Sequence, residues 1–561
     1  IPDQVDMAVI LVPARFVPQV LEECGQKGIK RAVIETAGFR EFSEAGRAIE
    51  DEIVAIAEKY GIRFIGPNCI GVINMENGFC VPFTRLKPFM RQGEVSIISQ
   101  SGGVGLSIMN HMAAEGIGLN KFASTGNMLN IDAEDLLEYY IADAGTSIIF
   151  IYLEGIRDGR RLMEIASRSP KPILALKSNI GRLGQNVAAS HTAALSSDDR
   201  VVDAAFRQCG ITRVHDVTTL SQYMKTLRLP PMKNKRVAII SRSGGHAIVA
   251  ADACETVGFD LAEFPESFIR EVEKHFRASV IKLTNPLDLG DLFDLDVYFR
   301  IVEDTLAQDN VDCVAFLHTS VTATEHDPTA ELVERLEQLG RKYNKPVAMY
   351  VSANLTEVAD LRKRFDFPIF TQIVEMFRAL KLDFEHAQRM AEAAVPATMP
   401  AFDVDREKAR QLIATASGEN RDLLLDEAMA VADAYGIPVL QGLRADSAQG
   451  AADAAERCGF PVAMKVISED ISHKSDVGGV QLNLRKREAV VEAFADMTSS
   501  IGAAFPEAEI DGVMVQPMAV GGRELILGGR QDRQFGPVVL VGLGGIFLSL
   551  IHISEPTRQL T

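Results

Sequence analysis

Val95-Ser-Ile-Ile-Ser-Gln-Ser-Gly-Gly103 and Val237-Ala-Ile-Ile-Ser-Arg-Ser-Gly-Gly245 are two versions of one nine-residue pattern, placed roughly 140 residues apart. In each, an apolar run predicts a buried strand, Ser-x-Ser-Gly-Gly a tight turn, and the residues that follow a helix. A strand entering a helix through such a turn aims free backbone N–H groups and the positive helix end at an anion. Ser101, Gly102 and Gly103 are expected to form one phosphate cradle, and Ser243, Gly244 and Gly245 a second. Repetition at this spacing predicts a duplicated α/β unit whose halves face each other, with both helix ends directed at one phosphoryl group. Two unrelated Ser-Gly-Gly turns are the plainer alternative, and the nine-residue similarity argues against it.

Between the cradles lies Asn186-Val-Ala-Ala-Ser-His-Thr-Ala-Ala-Leu-Ser-Ser-Asp198, with His191 at its centre. Small residues leave the imidazole uncrowded, Ser190 and Thr192 flank it, and Gly181 and Gly184 make the approach flexible. A loop histidine that merely caps or hydrogen-bonds locally fits the same residues. Its company favours more, because the strand Ser147-Ile-Ile-Phe-Ile-Tyr-Leu-Glu154 ends in a carboxylate. A carboxylate is the usual device for orienting a ring nitrogen and favouring imidazolium or phosphoimidazole. A histidine with two phosphate cradles points to phosphate carried on nitrogen.

The chain has 561 residues, of which 47% are hydrophobic, enough for several domains with their own cores. A net charge of −18 argues against nucleic acid or anionic membranes as partners. Seven scattered cysteines, odd in number and without C-x-x-C spacing, oppose a disulfide scaffold and suggest a reducing, cytoplasmic setting. No apolar run approaches the ~20 residues of a membrane span, and no leader pattern opens the chain. Ile1-Pro-Asp-Gln-Val-Asp6 runs directly into a strand, which reads as an N-terminal truncation.

From residue 7 to about 74, apolar β-rich runs (7–12, 31–35, 63–65) alternate with helical patterns (17–28, 41–60), as in βαβ units with a parallel sheet. Ligands of such sheets sit at the carboxyl ends of the strands. Val12, Pro13, Ala14, Thr36 and Asn68 lie there and are expected to line a nucleotide-like cleft; ordinary loop chemistry is the alternative. Proline-rich linkers follow at Leu229-Pro-Pro-Met-Lys-Asn-Lys-Arg236 and Val395-Pro-Ala-Thr-Met-Pro-Ala401. A helical stretch at 406–435, interrupted at Gly418-Glu-Asn420, then returns to α/β, where Lys465 stands in the strand Phe460-Pro-Val-Ala-Met-Lys-Val466.

These residues carry a resemblance. Gly66-Pro-Asn-Cys-Ile-Gly71, Ser99-Gln-Ser-Gly-Gly103, Ser124-Thr-Gly-Asn127, Ser190-His-Thr192, Asn285-Pro-Leu-Asp288, His473-Lys-Ser-Asp-Val-Gly-Gly479 and Phe535-Gly-Pro537 occur in this order over nearly the whole chain. Together they resemble the NDP-forming acyl-CoA synthetases, in particular the fused ADP-forming acetate–CoA ligases related to succinyl-CoA synthetase. The resemblance implies a Rossmann-like CoA-binding domain (1–88, lacking its N-terminal part), two flavodoxin-like CoA-ligase domains (89–229, with the phosphohistidine, and 235–393) and a C-terminally truncated ATP-grasp domain (402–547). Residues 548–561 fit no family pattern and read as a non-native tail. The family's Gly-rich turn after the first strand is absent, which predicts weakened CoA binding. Ala193 stands where the family has glycine.

The resemblance also implies roles and cofactors. His191 would carry phosphate, Glu154 would orient it, and His473 would relay phosphate to ADP, a role suited to a flexible loop. Lys465 would contact the nucleotide phosphates and Glu524 would lie near the adenine, beside the strand Val513-Met-Val-Gln-Pro-Met518. CoA, ATP/ADP and Mg2+ are the implied cofactors; the metal ligands are unknown, because the stretch that would supply them departs from the family. The expected reaction joins a carboxylic acid, CoA and ATP to give acyl-CoA, ADP and phosphate, and a homodimer is compatible with it. The alternative is the sensor portion of an acetyltransferase fusion that keeps ligand binding without ligase chemistry; the presence of both His191 and His473 argues against it.

Overall fold

The computed structural model describes residues 4–83, 90–181, 183–184, 198–275, 283–290, 292, 294–320, 326–393, 402–471, 474–519 and 521–544. It divides into two compact units, Ile1–Pro396 with Gly529–Val539, and Ala397–Gly528 with Leu540–Thr561.

The first unit opens with a parallel sheet of β1 (Ala8–Ile10), β2 (Arg31–Ile34) and β3 (Arg63–Ile65), in the order β1-β2-β3. Helices Val17–Lys27 and Glu44–Tyr60 make the crossovers, each closed by a glycine in the left-handed region, Gly28 (φ 87°) and Gly61 (φ 63°). The second helix starts at Glu44 rather than at 41, because the Ser43 hydroxyl accepts from the Gly46 amide and fixes the start there.

Next come β4 (Val72–Asn74), β5 (Phe79–Cys80), β6 (Gln92–Ser99), β7 (Leu119–Ser124), β8 (Ile148–Leu153), β9 (Ile173–Lys177) and β10 (Ile211–Arg213), in one sheet of order β10-β9-β8-β6-β7-β4-β5. A third sheet holds β11 (Arg236–Ser241), β12 (Asp260–Leu261), β14 (Cys313–Thr319), β15 (Val347–Ser352) and β16 (Ile369–Phe370), in the order β12-β11-β14-β15-β16, with the short β13 (Leu287–Asp288) beside β11. Numbered from β6 and, leaving out the short β13, from β11, the parallel strands of both sheets run 2-1-3-4-5, the flavodoxin-like order. The duplication expected from the nine-residue repeat is therefore a duplication of topology. The apolar runs that announced it are buried, with Ile97, Ile98, Ile239 and Ile240 at 0% exposure.

In the second unit, β17 (Leu443–Ala445), β18 (Val462–Ile467), β19 (Val480–Leu484) and β20 (Gly512–Pro517) form an antiparallel sheet of order β17-β20-β18-β19. Helices Ala448–Cys458 and Arg487–Ala504 share its apolar core. Helices Arg406–Gly418 and Leu425–Ala434 stand on either side of the expected interruption. β21 (Leu525–Asp532) and β22 (Gly536–Leu543) form a separate two-stranded ribbon. Among the described residues no helix is long and apolar enough to cross a membrane.

Three buried carboxyls in the first unit make its stability pH-dependent. Burial pushes Glu35, at the end of β2, Glu134 and Asp383 each up to about 7. The stabilisation of a carboxyl raised in this way is complete below its unfolded value of about 4, falls as pH rises, and is gone above about 7, where the buried group must ionise. The variant Glu134→Gln should therefore gain in thermal midpoint relative to the unsubstituted chain between pH 5 and pH 8. Parallel pH profiles would contradict this.

Candidate active site

The carboxyl ends of β1, β2 and β3 meet through two hydrogen bonds. The Thr36 hydroxyl donates to the Val12 carbonyl (2.8 Å), and the Asn68 amide donates to the Thr36 carbonyl (2.8 Å). Val12, Pro13, Ala14, Thr36 and Asn68 thus share one edge, with Pro13 exposed and Asn68 half-buried. An edge with exposed backbone at strand ends fits a nucleotide-like group such as that of CoA.

This edge is joined to the first cradle by the loop Ser124-Thr-Gly-Asn127. The Thr125 amide donates to the Ser99 carbonyl (2.9 Å) and the Asn127 amide to the Pro67 carbonyl (2.9 Å). Gly126, at φ 55°, passes so close to the Gly66-Pro-Asn-Cys turn that a Cβ would lie 2.1 Å from the Pro67 carbonyl oxygen, so only glycine fits. Asn127 Nδ2 donates to both Glu41 Oε2 and Glu50 Oε1 at 2.8 Å, its Oδ1 accepts from Asn68 Nδ2 (3.3 Å), and its carbonyl accepts from Arg40 (2.9 Å). Four motifs distant in sequence are brought to one place.

In the cradle itself, Ser101 caps the helix Gly102–Ala114, its hydroxyl accepting from the Val104 amide (3.4 Å). Gly102 lies against Ile70, where a Cβ would sit 2.3 Å from a methyl group, while among the described residues nothing lies within 4 Å of a Cβ at Gly103. Gln100, the variable position of Ser-x-Ser-Gly-Gly, does the joining. Its amide donates to the Tyr152 carbonyl (3.0 Å), and its side-chain Oε1 accepts from the amides of Glu154 (2.7 Å) and Gly155 (3.0 Å). Glu154 is thereby held beside the cradle, half-buried. The Tyr152 hydroxyl stands 3.0 Å from Ser178 Oγ and 3.5 Å from Glu154 Oε1. Lys177 Nζ donates to the Glu154 carbonyl (3.0 Å) and the Ser178 carbonyl (2.5 Å), and burial lowers it to about 8.

The second cradle repeats the bonds that shape the turn, although the Ser243 side chain, unlike that of Ser101, accepts from no helix amide. Ser99 Oγ donates to the Ser101 carbonyl (2.6 Å) as Ser241 Oγ does to that of Ser243 (2.8 Å), and the Arg242 amide reaches the Leu317 carbonyl (3.0 Å) as Gln100 reaches Tyr152. Gly244 faces Asp288 of the Asn285-Pro-Leu-Asp288 motif, whose Oδ2 would lie 2.8 Å from a Cβ at Gly244. The Asn285 side chain ties β11 to the chain after β12, accepting from the Ile239 amide (3.0 Å) and donating to the carbonyls of Val237 (2.8 Å) and Ala262 (2.9 Å). His246 follows directly, its ring 5.2 Å from that of Tyr350. Among the described residues no hydrogen bond or ion pair joins Ser101–Gly103 to Ser243–Gly245.

In the second unit, Lys465 is the one residue of β18 that is not fully buried; Ala463 and Ile467, on its own face, are buried, so the strand is covered on both sides. Lys474 is near enough to Lys465 to be affected by its charge, which, after burial, helps to lower it. Two lysines within electrostatic reach of one another suit a polyphosphate. Glu524 stands exposed just before β21, which belongs to a different sheet from the strand of Lys465. Among the described residues no group of three or more His, Cys, Asp or Glu is placed to hold a metal ion. His191 and His473 lie outside the described residues, as do Ser190, Thr192 and Ala193.

The site signals missed in the sequence are Gln100, Tyr152, Lys177 and Lys474. Gln100 occupies the variable position of a motif, and only the adjacency of β6 and β8 gives it a role. Lys474 lies inside the quoted His473-Lys-Ser-Asp motif and could have been noticed there.

A nucleotide-type sheet edge joined to a doubled, cradle-bearing flavodoxin-like architecture, followed by a lysine-bearing antiparallel sheet, defines the class of the CoA ligases that pass phosphate between sites. Domain profiles agree: a CoA binding domain matches residues 1–75, a succinyl-CoA ligase like flavodoxin domain 92–227, and an ATP-grasp domain 414–554. The chain is 35% identical over 554 residues to acetate–CoA ligase (ADP-forming) I of Archaeoglobus fulgidus, covering 98% of this chain and 79% of that protein. It is 31% identical over 559 residues to 4-hydroxybutyrate–CoA ligase (ADP-forming) of Nitrosopumilus maritimus, with coverage of 98% and 79%. Its fold is similar to that of the dinucleotide forming acetyl-coenzyme A synthetase 1 of Ca. Korarchaeum cryptofilum, solved with phosphate and ADP (TM-score 0.65, 29% identity, 71% of this chain and 86% of that one). The chain belongs to the ADP-forming acyl-CoA synthetase family. It is an acid–thiol ligase, and the sensor alternative is not favoured.

Proposed function

We propose that the chain converts a small carboxylic acid, CoA and ATP into acyl-CoA, ADP and phosphate by way of a phosphohistidine at His191. The observation that carries this reading is the Gln100 bridge, which fixes a carboxylate, Glu154, against a helix-end phosphate cradle in a domain continuous with the CoA-type sheet edge.

A carboxylate is a poor electrophile, so the reaction divides. The γ-phosphoryl group of ATP passes to the ring nitrogen of His473, releasing ADP, and from there to the ring nitrogen of His191. The acid's oxygen then attacks this phosphorus to give an acyl phosphate and free imidazole. Last, the CoA sulfur attacks the acyl carbon, the thiol proton leaves, and inorganic phosphate departs. Dividing one difficult transfer into covalent steps is the logic of nucleophilic catalysis. Glu154 accepts the N–H of His191 and keeps the opposite nitrogen aimed at phosphorus. The amides at Ser101–Gly103, and those of the second cradle at Ser243–Gly245, donate to the phosphoryl oxygens, with preorganised dipoles that need no rearrangement as charge develops.

Val12, Pro13, Ala14, Thr36 and Asn68 receive CoA in this reading. Lys465, with Lys474, meets the nucleotide phosphates; Glu524 lies towards the base, and His473 is the second phosphate acceptor. Magnesium would accompany the nucleotide phosphates and offset their charge.

The test uses the full chain with ATP, magnesium, CoA and a panel of acids headed by acetate and 4-hydroxybutyrate. Acid-dependent loss of free thiol with equal amounts of ADP and phosphate is expected. Formation of AMP and pyrophosphate, or no turnover with any acid, would overturn the proposal.

A further inference from the structure

The β21–β22 ribbon starts and ends in the second unit, while its tip, Gly529–Val539, is part of the first. A two-stranded ribbon is marginal by itself in water, so its tip must be held by what it touches. Phe535 is 3% exposed and belongs to the same apolar cluster as Ile156, Leu162 and Val202. Around it the backbone is gripped. Arg160 donates through Nε to the Phe535 carbonyl (2.5 Å) and through Nη2 to the Pro537 carbonyl (3.0 Å), and the Gly159 amide donates to the Gln534 carbonyl (2.9 Å). Gly159 is the first residue of the helix Gly159–Ser167, and a Cβ there would lie 2.5 Å from the Phe535 ring, so the socket requires glycine. Asp532 Oδ1 rounds the tip by accepting from the Gln534 (2.9 Å) and Phe535 (3.0 Å) amides. Arg530 pairs with Asp198 (2.7 Å), which caps the helix Asp199–Cys209.

The location of these contacts is informative. The socket lies five residues beyond Glu154, and Asp198 closes the sequence stretch that contains His191. A segment from the part of the chain matched by the ATP-grasp profile thus contacts residues that lie, in sequence, on either side of the proposed phosphoryl-accepting His191.

We propose that the hairpin tip is a positioning element for the ATP half-reaction, with Phe535 as its anchor, Gly159 and Arg160 as its socket, and Arg530–Asp198 as its second hold. This rests on the ligase reading above. It predicts that the two routes to a phosphorylated His191 are separable: transfer from ATP needs the seated tip, whereas the reverse route, from acyl-CoA and inorganic phosphate, does not.

The experiment follows label into the full chain, either from γ-labelled ATP with magnesium or from labelled phosphate with an acyl-CoA that the unsubstituted chain accepts, acetyl-CoA first. Phe535→Ala unseats the tip by removing the anchor. Gly159→Ala does so from the socket side and leaves the hairpin sequence intact, so that a defect in one variant's folding cannot decide the result. Both should slow labelling from ATP tenfold or more and change labelling from acyl-CoA and phosphate less than about twofold; Phe535→Leu should recover most of the loss. Amide hydrogen exchange of residues 529–539 should rise in step. Unchanged labelling from ATP, or an equal fall by both routes, would overturn the proposal while the ligase reading stands. An unsubstituted chain that takes label from neither source would overturn both.

Discussion

His191→Ala is expected to abolish acid-dependent thiol consumption, with turnover falling by a factor on the order of 10^4 or more, as when an enzyme loses its nucleophile. The size follows from the division of the reaction. Without His191, phosphate taken up by His473 has no nitrogen beside the acid to pass to, and neither Glu154 nor the amides of Ser101–Gly103 can carry a phosphoryl group in the histidine's place. Helix-end contacts are worth roughly 0.3–2 kcal/mol each, far less than the ~5.5 kcal/mol that corresponds to 10^4. CoA binding should be preserved in the variant, because the strand-end residues of β1, β2 and β3 are untouched; equilibrium binding of CoA checks this. Turnover within tenfold of the unsubstituted chain would remove His191 from the mechanism.

The second large effect is expected at Gln100. Its side-chain oxygen is the acceptor for two consecutive amides, those of Glu154 and Gly155. In Gln100→Ala both amides lose this partner, and the hold that keeps Glu154 beside the cradle is loosened. A misplacement of a catalytic group by about 1 Å costs on the order of 100-fold, so a fall in kcat of roughly 30- to 100-fold is expected, with the KM for CoA nearly unchanged. Gln100→Glu keeps an oxygen acceptor at the same reach and should retain most of the activity. Equal losses in the two variants, or a loss confined to KM, would show that the bridge does not position Glu154.

Much of the architecture was legible because it rests on local patterns. Apolar β-branched runs ending in Ser-x-Ser-Gly-Gly specify a strand, a turn and a helix within nine residues, and their recurrence announced two sheets of the same strand order. Gly66 and Gly126 stood in quoted motifs, but the close backbone approaches that require them are a matter of the fold. The functional joints were not. Gln100 acts across 54 residues of sequence, Asn127 gathers Asn68, Arg40, Glu41 and Glu50 from more distant positions, and Phe535 is buried against a helix more than 360 residues earlier. Their partners are fixed by which strands lie side by side, and no periodicity in the chain encodes that.

The central claim is that phosphate travels on His191. The most direct measurement is to quench the full chain after brief exposure to γ-labelled ATP and magnesium, digest it under mildly alkaline conditions, which preserve phosphoramidates, and map the labelled peptide. The label is expected on the peptide containing His191, lost on acid treatment and discharged by acid and CoA with formation of acyl-CoA. Label confined to His473 or to a serine, or no labelled protein while acyl-CoA is still formed, would contradict it.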